Sequence, residues 1–145
     1  GGTKKRYGRK HDILLWYTKS SNYYFNEAEA RVPYDAIIAK SRLHMFDERG
    51  KVSGDVWDIS RPPNHSKEWL GYPTQKPEAL LERVIMIHSK ERDVVLDPFC
   101  GCGTTGVVAQ RLGRNFILVD NNEQALRATV RRFDSLGLKD VVFIK

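Results

Sequence analysis

Residues 97–106 read Asp-Pro-Phe-Cys-Gly-Cys-Gly-Thr-Thr-Gly and follow directly on the apolar run Val94-Val95-Leu96. A second apolar run, Phe116-Ile117-Leu118-Val119, ends on Asp120. The order is strand, glycine-rich turn, helix, and a second strand closed by an acid. Two strands joined through a helix run parallel, and a parallel sheet needs helical cover. The layout also constrains the ligand. Gly101, Gly103 and Gly106 let the backbone approach a bound nucleoside closely, and an acid after the next strand accepts hydrogen bonds from ribose hydroxyls. The glycine spacing alone is a weak signal, and such a turn also serves as a bare tight connection. The flanking strands, the helix and the acid give it weight.

The surrounding pattern extends this unit. Pro77 suits a first helical position, and Leu80, Leu81, Val84, Ile85 and His88 recur at three-to-four spacing behind it. A helix is predicted over 104–112 with Gly113 as its stop, and a strand over 116–119. Another helix covers 123–136, with Leu126, Val130 and Phe133 on one face and Gly137 at its end, before a final strand Val141–Ile144. Upstream, Ile13–Tyr17 reads as a buried strand, 34–46 as a weak helix (Tyr34, Ile37, Ile38, Met45), Val56–Ile59 as a short strand and 60–73 as a loop. The fold class is α/β: a mostly parallel sheet with helices on both faces. The 145 residues fit one domain with a real core.

Composition is ordinary for a soluble globular chain, at 41% hydrophobic and 29% charged. No apolar run nears the roughly 20 residues that span a bilayer, and no charged-then-apolar leader is present. Cys100 and Cys102, one residue apart in a turn, are badly placed for a disulfide and too few for zinc, so a packing role in a reducing, cytoplasmic setting is expected. His44, His65 and His88 lack metal-ligand spacing, and no serine, histidine and acid set is suggested. The net charge is +6, with Lys4, Lys5, Arg6, Arg9, Lys10 and His11 crowded at the start. That block suits either a solvated tail or a nucleic-acid backbone. Trp16, Tyr17, Trp57 and Trp69 are read as core aromatics, with base stacking the alternative.

Asp97 ends its strand, where ligands bind in open α/β sheets. A carboxylate there suits a cationic group, such as an amino-acid ammonium, and suits a pyrophosphate poorly. A nucleoside carrying an amino acid, S-adenosylmethionine, fits better than a nicotinamide dinucleotide, which Thr104-Thr105 also disfavours.

At this point the chain resembles a family. Asp97-Pro98-Phe99-Cys100-Gly101-Cys102-Gly103-Thr104-Thr105 is similar to motif I of the amino-group DNA methyltransferases, which make N6-methyladenine or N4-methylcytosine. Asp120, followed by Asn121, falls where that family has its ribose-binding acid. Gly71-Tyr72-Pro73-Thr74-Gln75-Lys76-Pro77-Glu78 resembles motif X, which packs over the methionine end of the cofactor. Motif X directly before motif I is the order of the permuted beta group, and residues 11–20 resemble that group's hairpin region. The resemblance implies S-adenosylmethionine as cofactor, double-stranded DNA as partner and direct methyl transfer. It implies Asp97, Pro98, Phe99, Gly101, Gly103, Thr104, Thr105, Asp120 and Asn121 as cofactor residues, with Thr74, Lys76 and Pro77 closing over the ligand. Read without it, Thr74 caps a helix and Lys76 is a surface charge.

The family's catalytic motif, Asp/Asn/Ser-Pro-Pro-aromatic, accepts hydrogen bonds from the target amino group and stacks on the flipped base. It is absent: Arg61-Pro62-Pro63-Asn64 has neither the acceptor nor the aromatic, and Asp97-Pro98-Phe99 has one proline. No catalytic residue is therefore assigned. The chain is expected to be a C-terminal methyltransferase segment, with 1–70 a strand and loop region suited to DNA contacts through Arg61, His65 and Lys67, and 71–145 the cofactor half. The missing strand would leave a sheet edge open to a complementing chain or a second copy. The alternative is an inactive DNA-binding or regulatory remnant.

Overall fold

In a computed structural model of the chain, the structure describes residues 11–34 and 47–138. Two short strands, β1 (Arg31–Val32) and β2 (Lys51–Val52), form an antiparallel ribbon. Then come α1 (Glu78–His88), β3 (Val94–Asp97), α2 (Thr104–Arg111), β4 (Asn115–Leu118) and α3 (Glu123–Ser135). β3 and β4 pair in parallel, with Val95 opposite Phe116 and Asp97 opposite Leu118. The elements from α1 onward match the sequence pattern within one or two residues. The 34–46 helix, the Val141–Ile144 strand and the basic block up to Lys10 lie outside the described residues.

Alternation along β3 and β4 divides the sheet cleanly. Val95 and Phe116 point to one face and pack on Ile85 of α1 and on Val108 and Ala109 of α2. The same face receives α3, because the Phe133 ring meets Phe116 edge-on at 5.6 Å between centroids. Among the described residues, all three helices cover this one face. Val94, Leu96 and Ile117, on the other, are each more than half exposed. The expected second helical layer is not among them.

Close packing of α3 depends on glycine. A Cβ at Gly106 would lie 2.7 Å from Leu118 Cδ1 and 2.8 Å from Phe133 Cζ. Phe133 is only 2% exposed and has no room to yield. The buried stripe of α3 is Ala125, Thr129, Arg132 and Phe133. The predicted stripe of Leu126, Val130 and Phe133 is therefore rotated by about one residue, and Leu126 is exposed. Two of the buried positions are polar, which hydrophobic periodicity cannot register.

Two upstream expectations are corrected. Ile13–Tyr17 forms no strand, and its five side chains are all more than half exposed. A strand is stable only with a partner's backbone groups, and no ladder reaches this run. Trp16 and Tyr17 are thus not core residues. Trp16 instead stacks on the surface with Tyr23, Phe25 and His88, at centroid distances of 5.2, 5.9 and 5.3 Å. Val56–Ile59 is also not a strand: Trp57 Nε1 donates to the Gly54 carbonyl at 3.0 Å, folding the segment on itself. Trp57 and Trp69 are partly buried under the guanidiniums of Arg83 and Arg61. The β1–β2 ribbon carried no sequence signal, being only two residues per strand.

Phe133→Ala should lower the unfolding free energy by about 3–5 kcal/mol, as large-to-small changes do in well-packed cores. Urea titration followed by circular dichroism measures it; a loss below about 1 kcal/mol would show that α3 is not docked as described.

Candidate functional site

The glycine turn links β3 to α2 in a conformation only glycine adopts cheaply. Gly101 and Gly103 have φ of 54° and 74°. A Cβ at Gly103 would meet Thr129 Cγ2 at 2.6 Å. Five side chains hold the turn. Asp120, after β4, accepts from the Gly101 amide through Oδ2 at 2.8 Å. Thr129 donates to the Gly101 carbonyl at 3.0 Å. Thr105 donates to Asp97 Oδ2 at 2.5 Å, and Asp97 Oδ1 accepts from the Phe99 amide at 3.0 Å. Buried Arg132 donates to Thr104 Oγ1 at 2.9 Å.

Both acids therefore work twice. Each carboxylate oxygen of Asp97 accepts one bond, and Asp120 Oδ1 likewise accepts from the Asn122 amide at 2.9 Å. A carboxylate oxygen has two acceptor sites, so each keeps one for a ligand.

The opposite wall is the segment before α1. Gln75, only 4% exposed, turns inward: Oε1 accepts from the Leu70 amide at 3.0 Å, and Nε2 donates to the Glu68 carbonyl at 2.7 Å. Its role is to shape the loop. Glu68 Oε1 accepts from the Glu78 amide at 2.7 Å and so caps α1 from ten residues away. Thr74 does not cap this helix. Pro77 stands at the N-cap, one place before the predicted first helical position. Lys76 pairs with Asp12 at 2.7 Å, and this hydrogen bond holds the Asp12 carboxyl below its ordinary pKa.

Between the walls lies a cavity of about 260 Å³. Of the residues singled out in the sequence, Thr74, Lys76, Asp97, Phe99, Gly101, Thr104 and Thr105 line it. Pro98, Gly103, Asp120, Asn121 and Pro77 do not. Gly103 is behind the turn against Thr129, and Asp120 reaches the cavity only through its bond to Gly101. Sequence reasoning missed Tyr72, whose Cε1 is 3.2 Å from where a Gly101 Cβ would be. Its one signal was an aromatic directly before Pro73. Gln75, Leu81, Cys100 and Cys102 also line the cavity, though the sequence pattern and motifs that contain them assigned them no site role.

Cys100 and Cys102 are buried and free. Burial, with the charges of Asp120 and Asp97, pushes the Cys100 thiol up to about 11. Among the described residues no group of three metal-ligating side chains occurs, and no helix is long and apolar enough to cross a membrane.

A parallel α/β unit with a glycine turn and paired acids at the strand ends defines a nucleoside-binding class of protein. The chain matches the model of the N6/N4 DNA methylase family over residues 2–131 and belongs to that family. It is 39% identical to the DNA adenine methyltransferase YhdJ of Escherichia coli K12, covering 90% of this chain and 47% of that protein. It is 41% identical to the type II methyltransferase M2.LlaDCHI of Lactococcus lactis subsp. cremoris, over 85% of this chain and 42% of that one. The chain thus spans about half the length of these relatives. The fold resembles that of the cytosine-N4-specific PvuII DNA methyltransferase, with a TM-score of 0.52, 24% identity, and 63% of this chain against 34% of that chain covered.

A raised thiol pKa means the folded state favours the neutral form. Its contribution to stability is complete below the unfolded value of 9.0 and is lost as pH rises towards about 11. Iodoacetamide at pH 8 should therefore leave Cys100 unmodified in the native chain and label it readily in denaturant, as read by mass spectrometry. Rapid native labelling would contradict the buried turn.

Proposed function

We propose that this chain is the S-adenosylmethionine-binding portion of a DNA methyltransferase acting on the exocyclic amino group of adenine (N6) or cytosine (N4). The observation that carries this is the cavity between the 72–76 wall and the glycine turn, continued through Gly101 to Asp120.

The residues present fit the cofactor. At about 260 Å³ the cavity is below the size of a whole ligand site, so it takes one end of the molecule. The methionine end suits it: Asp97 offers a free acceptor site to the ammonium. The first-turn amides of α2, whose N-cap Gly103 makes no side-chain cap, offer a positive end to the carboxylate. Thr74, Thr105 and Lys76 stand around that end, and Pro77 fixes the backbone where the wall enters α1. Phe99, 86% exposed beside the turn, supplies an apolar surface for the nucleoside, with Pro98 restricting the backbone before it. Asp120 takes the ribose, and exposed Asn121 follows it at the rim. Gly101 and Gly103 keep the approach open. When bound, the cofactor supplies an electrophilic methyl group on a sulfonium.

The groups that accept hydrogen bonds from the target amine are not in these 145 residues, so the chain alone is proposed to hold the donor without turning it over. The partner is double-stranded DNA, met in part by exposed Arg61, His65 and Lys67. The uncovered sheet face of Val94, Leu96 and Ile117, and an edge of β3 that pairs with no described strand, suit either a complementing segment that carries the catalytic motif or a second copy that covers the edge without supplying that motif. An inactive DNA-binding remnant is the second reading, favoured by the missing motif. Restored methylation on mixing with a chain that carries Asp-Pro-Pro-aromatic excludes it.

Titration calorimetry with S-adenosylmethionine should give saturable heat with the native chain. Asp120→Ala should weaken binding by about ten- to a hundredfold, as loss of a charged hydrogen-bond acceptor does. No heat from the native chain would overturn the cofactor assignment. Light scattering of the chain alone should report association above the monomer, and a monodisperse monomer would remove a second copy as the occupant of the open edge.

A further inference from the structure

Arg132 is only 4% exposed, in a chain where most cations are at the surface. Burying a guanidinium is costly unless its donors are satisfied. Its donors join one wall of the cavity, the glycine turn, to the start of α1, directly behind the other wall. Nη2 bonds Glu78 Oε1 at 2.6 Å, at the first residue of α1 and directly after the 72–77 wall. Nη1 bonds Thr104 Oγ1 at 2.9 Å and approaches the Cys102 carbonyl at 3.4 Å and the Cys102 sulfur at 3.9 Å, all on the glycine turn. The second Glu78 oxygen accepts from Arg111 of α2 at 2.7 Å. One carboxylate and one buried fork thus join α1, α2, α3 and the turn.

Stability alone does not account for this arrangement, since a buried ion pair can often be replaced by well-packed apolar side chains at no loss. What an apolar residue lacks is direction. The planar fork fixes the angle and distance between its two acceptors. Of the two acceptors, Thr104 lines the cavity, and Glu78, 26 residues away in sequence, opens the helix directly behind the 72–76 wall.

We infer that Arg132, through Glu78 and Thr104, is a positioning residue that sets the separation of the two cofactor-binding walls, and so governs affinity for the amino-acid end of the ligand rather than for its nucleoside. The inference rests on the cofactor reading above. Adenosine, held on the Phe99 and Asp120 side, does not need the 72–76 wall. S-adenosylhomocysteine does.

The test is calorimetry on the native chain, Arg132→Met, Arg132→Lys and Glu78→Gln, each with S-adenosylhomocysteine and with adenosine. Arg132→Met should weaken S-adenosylhomocysteine about tenfold or more and adenosine less than threefold. Arg132→Lys keeps the cation but not the fork, and should recover part of the difference. A general structural defect would weaken both ligands together, so an unchanged ratio in a folded variant overturns the inference. If Arg132→Met does not fold, the ratios in Arg132→Lys and Glu78→Gln decide it in the same way. A native chain that binds neither ligand overturns the cofactor reading itself, whereas native binding with an unchanged ratio overturns only the role of Arg132.

Discussion

The structure depends on holding a left-handed glycine turn still. Gly101 and Gly103 sit in left-handed backbone, which an isolated chain would sample among many alternatives. The fold removes those alternatives with side chains from three separate elements: Asp97 on β3, Asp120 after β4, and Thr129 and Arg132 on α3. Each is short or rigidly held, and each acts on the backbone or first helical turn of the same ten residues. α3 docks against the sheet face through Phe133 and against the turn through Thr129. Its packing and the geometry of the site are therefore one event, and Gly103 and Gly106 are small because α3 is close.

This explains why the site acids cannot be assigned simply to a ligand. Asp97 and Asp120 each spend acceptor capacity on the protein before any ligand arrives, and the remaining lone pairs are pre-aimed as a result. Preorganisation of this kind lowers the ordering cost of binding. If the proposed cofactor contacts hold, substitution of either acid removes a scaffold bond together with a ligand bond, so the measured loss belongs to both.

Much of this was legible in the sequence. The elements from α1 to α3 and the positions of the two acids followed from hydrophobic period and glycine placement, because those patterns report local burial directly. Other features were not legible, for identifiable reasons. The α3 stripe was misplaced because its inward face carries Thr129 and Arg132, whose partners lie at Gly101, Thr104 and Glu78 and are remote in sequence. The Gln75 amide completes the loop from Glu68 to Leu70, through partners that no local pattern reveals. Tyr72 joins the cavity only because the turn's missing Cβ admits its ring. Ile13–Tyr17 looked like a core strand because five apolar residues normally are one; without a pairing backbone the same residues are exposed.

The exposed apolar surface and the missing chemistry point in the same direction. Val94, Leu96 and Ile117 alternate with the buried side of a parallel sheet, and parallel sheets are ordinarily covered on both faces. The chain spans about half of its relatives' length, and the acceptor motif that the resemblance implies is missing from it. A surface that wants cover and a site that wants an acceptor are then two aspects of one division. The helices α1 to α3 pack on one face of the sheet, where the proposed cofactor site lies. On the proposed reading, a segment docked on the other face and along β3 would supply the second half of the core and, in the same step, the groups that hold the base.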